Sequence, residues 1–231
     1  MYKLIITNKN YSSWSLRPWL LMRERAIPFI ESLVPMGDEP GRLAIRDVSP
    51  TGKVPCLVDG QLVVWDSLAI VEYLAERHAQ IWPSDATARA WARSAAAEMH
   101  SGFTELREHC TMNCGIRVRL NTLAAPLTFE LARLDALWSE GLAKFGGPFL
   151  AGNQFTAVDA FYAPIAFRVK TYDLEMAPLS MQYVSRLLAL ESMQEWLAAA
   201  LAESWREASH EAEAHRAGIW IEDRRALPQS A

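Results

Sequence analysis

Three serines in four positions, Ser12, Ser13 and Ser15, stand in the stretch TNKNYSSWSLRPWLLM, between an apolar run and a segment of helical periodicity. A hydroxyl at such a junction has three uses: capping a helix, attacking a carbonyl, or donating a hydrogen bond to a ligand. The nucleophile reading finds no support. The first 77 residues hold no histidine to act as base, and no GxSxG surrounds the serines. Ser15 reads as the N-cap. Ser12 and Ser13 are then surplus to capping and free to donate to a ligand thiolate. A free thiol has a pKa of about 8.5. A donor aimed at the sulfur, with the partial positive charge of a helix N-terminus, favours the ionised form. In that chemistry the ligand supplies the nucleophile and the protein activates it.

Two further stretches offer complementary groups. In GKVPCLVDG (52–60) a proline precedes an Asp-Gly hairpin signal. Pro55 is either a plain strand starter or a cis-proline that presents the Val54 N–H and C=O to a peptide-like ligand. In WDSLAIVEYL (65–74), Asp66 and Ser67 open a helix. They read as caps, or as holders of an α-amino acid head. In the second case Ser67 and the helix N-terminus take the carboxylate and Asp66 takes the ammonium.

Strands and helices must position these groups. YKLIIT (2–7) reads as a strand, Ser15 to Ala26 as a helix with Pro18 in its first turn, and FIESLV (29–34) as a second strand. A short helix over 40–50, a hairpin over 55–65 and a helix over 67–78 follow. QIWPSD (80–85) breaks the pattern as a linker. Beyond it only helices are expected, over 86–109, 126–145, 156–170, 179–189 and 191–209, with a polar surface tail from Gly218. The expected fold is an α/β domain over 1–79, a linker over 80–85 and an all-α domain over 86–231.

Composition narrows the function classes. The 231 residues are 51% hydrophobic and carry a net charge of −4 without a Lys/Arg block, which gives no electrostatic reason to expect nucleic acid. No window of 18 apolar residues exists, so no membrane span is expected. The N-terminal apolar run is too short for a secretion signal. Three cysteines, Cys56, Cys110 and Cys114, cannot build a disulfide framework. A reducing, cytoplasmic compartment is expected, and no metal site, since CxxxC lacks a second cysteine pair.

In this order and spacing, YSSWSLR, GKVP before a DG hairpin and DSLAIVEYL resemble the N-terminal domain of a bacterial cytosolic glutathione S-transferase. FTAVDAFYAPI (155–165) adds Thr156 and Asp159 at the positions of that family's N-capping motif. SSWSLR is most similar to the SSCSWR of the zeta class. The resemblance implies a thioredoxin-like N-terminal domain, an all-α helical C-terminal domain, glutathione as co-substrate and a homodimer. It implies that Ser12, with Ser13 as close runner-up, activates the glutathione thiol. It also implies that Val54 and Pro55 pair with the cysteinyl backbone, that Asp66 and Ser67 hold the γ-glutamyl end, and that Lys53 lies near the glycyl carboxylate. Trp14 stands where the zeta class has cysteine, which argues against a mixed-disulfide mechanism.

The second substrate, a small electrophile or a hydroperoxide, is expected against the helical domain. REHCTMNCGIRVR (107–119) mixes His109, Cys110, Cys114 and Arg117 where helical periodicity fails. It reads as a kink of buried small residues, or as the electrophile pocket with Arg117 or Arg119 attracting an acidic substrate. His100 reads as a core or interface histidine. Two other functions fit the same fold: a non-catalytic adaptor that binds a protein partner, and a glutathione-dependent isomerase.

Overall fold

The run of apolar residues after Met1 forms β1, Tyr2–Ile6, inside a four-stranded sheet of order β2-β1-β3-β4. The structure, a computed structural model, describes residues 1–36 and 39–227. β2, Phe29–Leu33, runs parallel to β1 with Tyr2 opposite Phe29. A parallel pair needs a crossover, supplied by α1, Ser13–Glu24. β3, Cys56–Asp59, and β4, Leu62–Trp65, are antiparallel around the Asp59-Gly60 turn. α2, Glu39–Val48, and α3, Ser67–Ala75, complete this half.

The second half is built from α4 (Ala86–Ser101), α5 (Thr104–His109), α6 (Ala125–Phe145), α7 (Ala157–Tyr172), α8 (Pro178–Leu188), α9 (Glu191–Ala202) and α10 (Ala208–Ala217). Among the described residues no helix is long and apolar enough to cross a membrane.

Two expected helices are shorter than their periodicity indicates. The one over 86–109 breaks at Gly102-Phe103. Phe103 turns left-handed at φ 54° and buries its ring against Tyr162. The one over 191–209 stops at Ala202, because Glu203 turns inward to accept the N–H groups of Lys9 and Asn10, at 2.7 and 3.3 Å. The helical half also carries an unexpected antiparallel ribbon, β5 (Ile116–Leu120) on β6 (Gly218–Asp223). The segment from Gly218, predicted as a polar tail, thus begins as a strand. Its last four residues, 228–231, lie outside the described residues. Gly218 is needed there, since a Cβ would stand 2.1 Å from the Arg119 carbonyl oxygen.

The spine of the molecule is α7. Fifteen of its sixteen residues are buried, and α1 packs along it. A helix hidden on all sides must satisfy its own polar groups. Asp159 accepts from the N–H groups of Leu150 and Thr156, at 3.0 and 2.8 Å, and from the hydroxyls of Tyr183 and Thr156, at 2.8 and 3.3 Å. Burial nevertheless raises its carboxyl from 3.8 to about 6.

Asp159→Ala strands these donors and should cost about 3 kcal/mol of unfolding free energy. Because the folded value is raised, the contribution of Asp159 is complete below about pH 4 and is lost as pH rises through about 6. The stability gap between wild type and Asp159→Ala, measured by urea unfolding, should therefore narrow between pH 4 and pH 7.

Candidate functional site

The serine turn folds as capping chemistry dictates, and α1 begins two residues earlier than the sequence indicates. Ser12, not Ser15, is the N-cap of α1: its Oγ accepts the Ser15 N–H at 3.3 Å and donates to the Ser15 Oγ at 2.8 Å. Pro18 consequently sits inside the helix rather than in its first turn. Ser13 is left at the first helical position, facing out of the turn. Its Oγ accepts from Arg168 Nη2 at 3.5 Å, and its own proton has no acceptor among the described residues.

Two adjoining cavities meet at this turn. The larger, about 660 Å³, is lined by Tyr11, Ser12, Ser13 and Trp14 from the start of α1, by Met36, Arg42 and Ile45 beside α2, and by Lys53 and Val54. Its far wall comes from the helical half, with Arg107, Glu108, Thr111, Met112, Arg168, His210 and Glu213. The smaller, about 460 Å³, is lined by Trp14, Thr51, Lys53, Val54, Pro55, Trp65, Asp66 and Ser67. All seven residues expected for thiol activation and glutathione contact surround this pair of cavities. The Val54–Pro55 peptide is cis.

Asp66 is an N-cap in fact as well as in expectation. Its Oδ1 accepts from Leu68 and Ala69 at 2.8 and 3.3 Å, and its Oδ2 lies 3.4 Å from His100 Nε2. It holds φ 74°, a region costly for a side-chain-bearing residue. Such outliers persist where the surroundings impose them. Ser67 is fully buried, with Arg17 Nη1 at 3.5 Å from its hydroxyl.

Sequence reasoning passed over the cations. Arg17 is buried from α1, with its guanidinium 4.1 Å over the Trp14 ring and 5.0 Å over Phe161. Burial first, then the charges of Arg107 and Arg168, bring it down to about 9. Arg168 comes down to about 10, again chiefly through burial. Both stay charged at neutral pH. A readable signal existed: each is a lone charge inside an apolar helical run, SLRPWLL and FYAPIAFRV. His100 sits at the interface, edge-on to Trp14 at 5.1 Å, and burial lowers its pKa.

The four residues expected in the second-substrate pocket lie outside the lining of the larger cavity, although their segment supplies part of its wall. His109 is exposed and turns to the Glu105 carbonyl at 3.0 Å. Arg117 folds back on its own strand to donate to Ile116 O at 2.6 Å, and stands opposite Glu222 in the ribbon. Cys110 and Cys114 are buried behind the wall. Burial pushes the Cys110 thiol up to about 12 and raises Cys114 as well. Tyr11, beside the serines, is turned away from thiol chemistry. Its hydroxyl donates to Glu211 at 2.7 Å, and burial raises its pKa.

With no accessible thiolate, Cys110 and Cys114 should resist a disulfide reagent at pH 8 and react only after denaturation. Rapid modification of either in the native protein contradicts this placement.

The family model described as glutathione S-transferase, N-terminal domain, matches residues 11–77, and that described as glutathione S-transferase, C-terminal domain, matches residues 89–200. Glutathione S-transferase DHAR2 of Arabidopsis thaliana is 32% identical over 165 residues, covering 71% of this chain and 67% of that protein. A probable maleylacetoacetate isomerase of Caenorhabditis elegans is 27% identical over 176 residues, covering 72% of this chain and 78% of that protein. The crystal structure of a glutathione transferase homologue from Burkholderia, with bound glutathione, superposes with a TM-score of 0.63 at 22% identity. The match spans 86% of this chain and 97% of that one, a likeness of fold.

Proposed function

The chain belongs to the glutathione S-transferase family, and on that footing we propose that it is a glutathione transferase. It ionises the glutathione thiol and presents it to an electrophilic carbon or a hydroperoxide. In this reading residues 1–79 are the glutathione-binding domain, 80–85 the linker, and 86–231 the domain that supplies the second-substrate wall. Glutathione occupies the smaller cavity with its γ-glutamyl end on Asp66 and Ser67, its backbone on Val54, and its glycyl end near Lys53. Its sulfur reaches the serine turn, where the two cavities join.

One observation carries the reading. Ser13 accepts from a buried guanidinium and keeps its own proton unspent in the wall of the larger cavity. A hydroxyl polarised in this way is a stronger donor to a thiolate. Ser12 is the weaker candidate, since both its accepting and its donating bonds are used inside the helix turn. The protein contributes thiolate stabilisation and positioning.

Glutathione-dependent isomerisation is the second reading, favoured by the maleylacetoacetate isomerase relative and by the SSxSxR pattern. A homodimer fits exposed apolar surface on both halves, Leu62 and Trp65 on β4 and Phe129 on α6. Cytoplasmic residence fits three unpaired cysteines.

The ultraviolet difference spectrum of bound glutathione, titrated across pH, tests the assignment. Wild type should ionise the thiol below its free value of about 8.5. Ser13→Ala should return it towards that value and lower kcat/KM at pH 7 by roughly 10- to 100-fold. Ser12→Ala should instead cost about 1 kcal/mol of stability through the lost cap. The reverse pattern assigns the sulfur to Ser12. A wild type that leaves bound glutathione un-ionised removes the transferase reading.

A further inference from the structure

The larger cavity has an unbalanced charge in its wall beside Ser13. Arg168 is 4% exposed on α7. Its Nη1 donates to the carbonyls of Cys110 and Arg107, its Nη2 reaches Ser13 Oγ at 3.5 Å, and its buried Nε has no partner. Arg107, from α5, lines the same cavity and lies 5.5 Å from the centre of the Trp14 ring. Among the described residues neither guanidinium forms an ion pair. A buried cation without a counter-ion is costly. This chain avoids that cost elsewhere: Arg225, whose side chain is 2% exposed, is held by Glu211 at 2.6 Å and by Asp223 at 2.7 Å.

The missing anion is then a property of the pocket. The thiolate of glutathione supplies one negative charge beside Ser13. Arg17 reaches the Ser67 hydroxyl at 3.5 Å and lines neither cavity, so it stands apart from the sulfur. Two guanidiniums therefore meet a single sulfur. The cavity's two carboxylates, Glu108 and Glu213, pair with neither of them. A guanidinium matches a carboxylate in charge and in the spacing of its donors.

Building on the transferase reading, we infer that the second substrate is an electrophile carrying a carboxylate on, or next to, the carbon attacked by sulfur. Arg168 holds that carboxylate from the sulfur side and Arg107 from the cavity side. The pocket reads the substrate's charge where REHCTMNCGIRVR joins α7, and not at Arg117 or Arg119.

Matched glutathione conjugates test this without turnover. S-carboxymethylglutathione carries a carboxylate one carbon from sulfur, and S-carbamoylmethylglutathione replaces it by a neutral amide of the same shape. Calorimetric titration of the full-length protein should show the acid binding roughly tenfold tighter than the amide. Arg168→Gln should bring the ratio close to one, and Arg168→Lys should restore part of it. Should Arg168→Gln fail to fold, Arg107→Gln, altering a half-buried side chain, should still lower the ratio severalfold. Equal binding of acid and amide by wild type, with glutathione itself bound, overturns the inference and leaves the transferase reading standing. An acid preference unchanged in both Arg168→Gln and Arg107→Gln overturns it too. If neither glutathione nor either conjugate binds, the transferase reading falls and this inference with it.

Discussion

Helix α7 meets solvent only at Lys170, and the rest of the molecule is arranged around that constraint. Burying fifteen residues on every side of one helix supplies much of the apolar contact that holds the two halves together. It also forces a carboxyl and a guanidinium, Asp159 and Arg168, into the interior. Asp159 is neutralised in effect by four donors at the helix start, which fixes where α7 begins and ties in α8 through Tyr183. Arg168, nine residues on, borrows carbonyls from the end of α5 and a serine hydroxyl from the other half. The buried carboxylate thus positions the helix, and the helix positions the buried guanidinium at the site.

The serine turn divides its labour by position. A helix start leaves several N–H groups without partners, and one hydroxyl must turn inward to serve them. Ser12 does so, and Ser15 completes the small network with it and with the Thr7 N–H at 3.4 Å. Ser13, one residue on, has no such duty and meets Arg168. Trp14 closes the arrangement, stacked beneath Arg17 and edge-on to His100. A cysteine there would give up those contacts, so the tryptophan ties the start of α1 to the helical half.

The C-terminal segment secures the same region from outside. Glu203 grips the backbone of Lys9 and Asn10, and Trp196 Nε1 donates to Lys9 O at 2.9 Å. Arg225 joins Tyr11 and Glu211, at 3.1 and 2.6 Å. Residues about 200 positions apart therefore brace the loop that carries the serines. The β5–β6 ribbon brings Arg225 to that point, which gives structural meaning to a tail whose polarity alone reads as surface.

Local chemistry was written in the sequence. The Asp-Gly hairpin, the Pro55 turn, the Asp66-Ser67 cap and the Thr156/Asp159 motif each depend on neighbours within a few residues, so residue type and spacing reveal them. The alternation of strand and helix in the first half, and the run of helices in the second, follow from periodicity in the same way. Tertiary structure decided the rest. It selected Ser12 over Ser15 as cap, turned Arg117 onto its own strand, paired two strands roughly a hundred residues apart, and brought Arg168 to Ser13 across 155 positions. Capping and turns are satisfied within one stretch of backbone, whereas a pocket wall is set by which side chains meet when distant helices pack. No local pattern encodes that meeting.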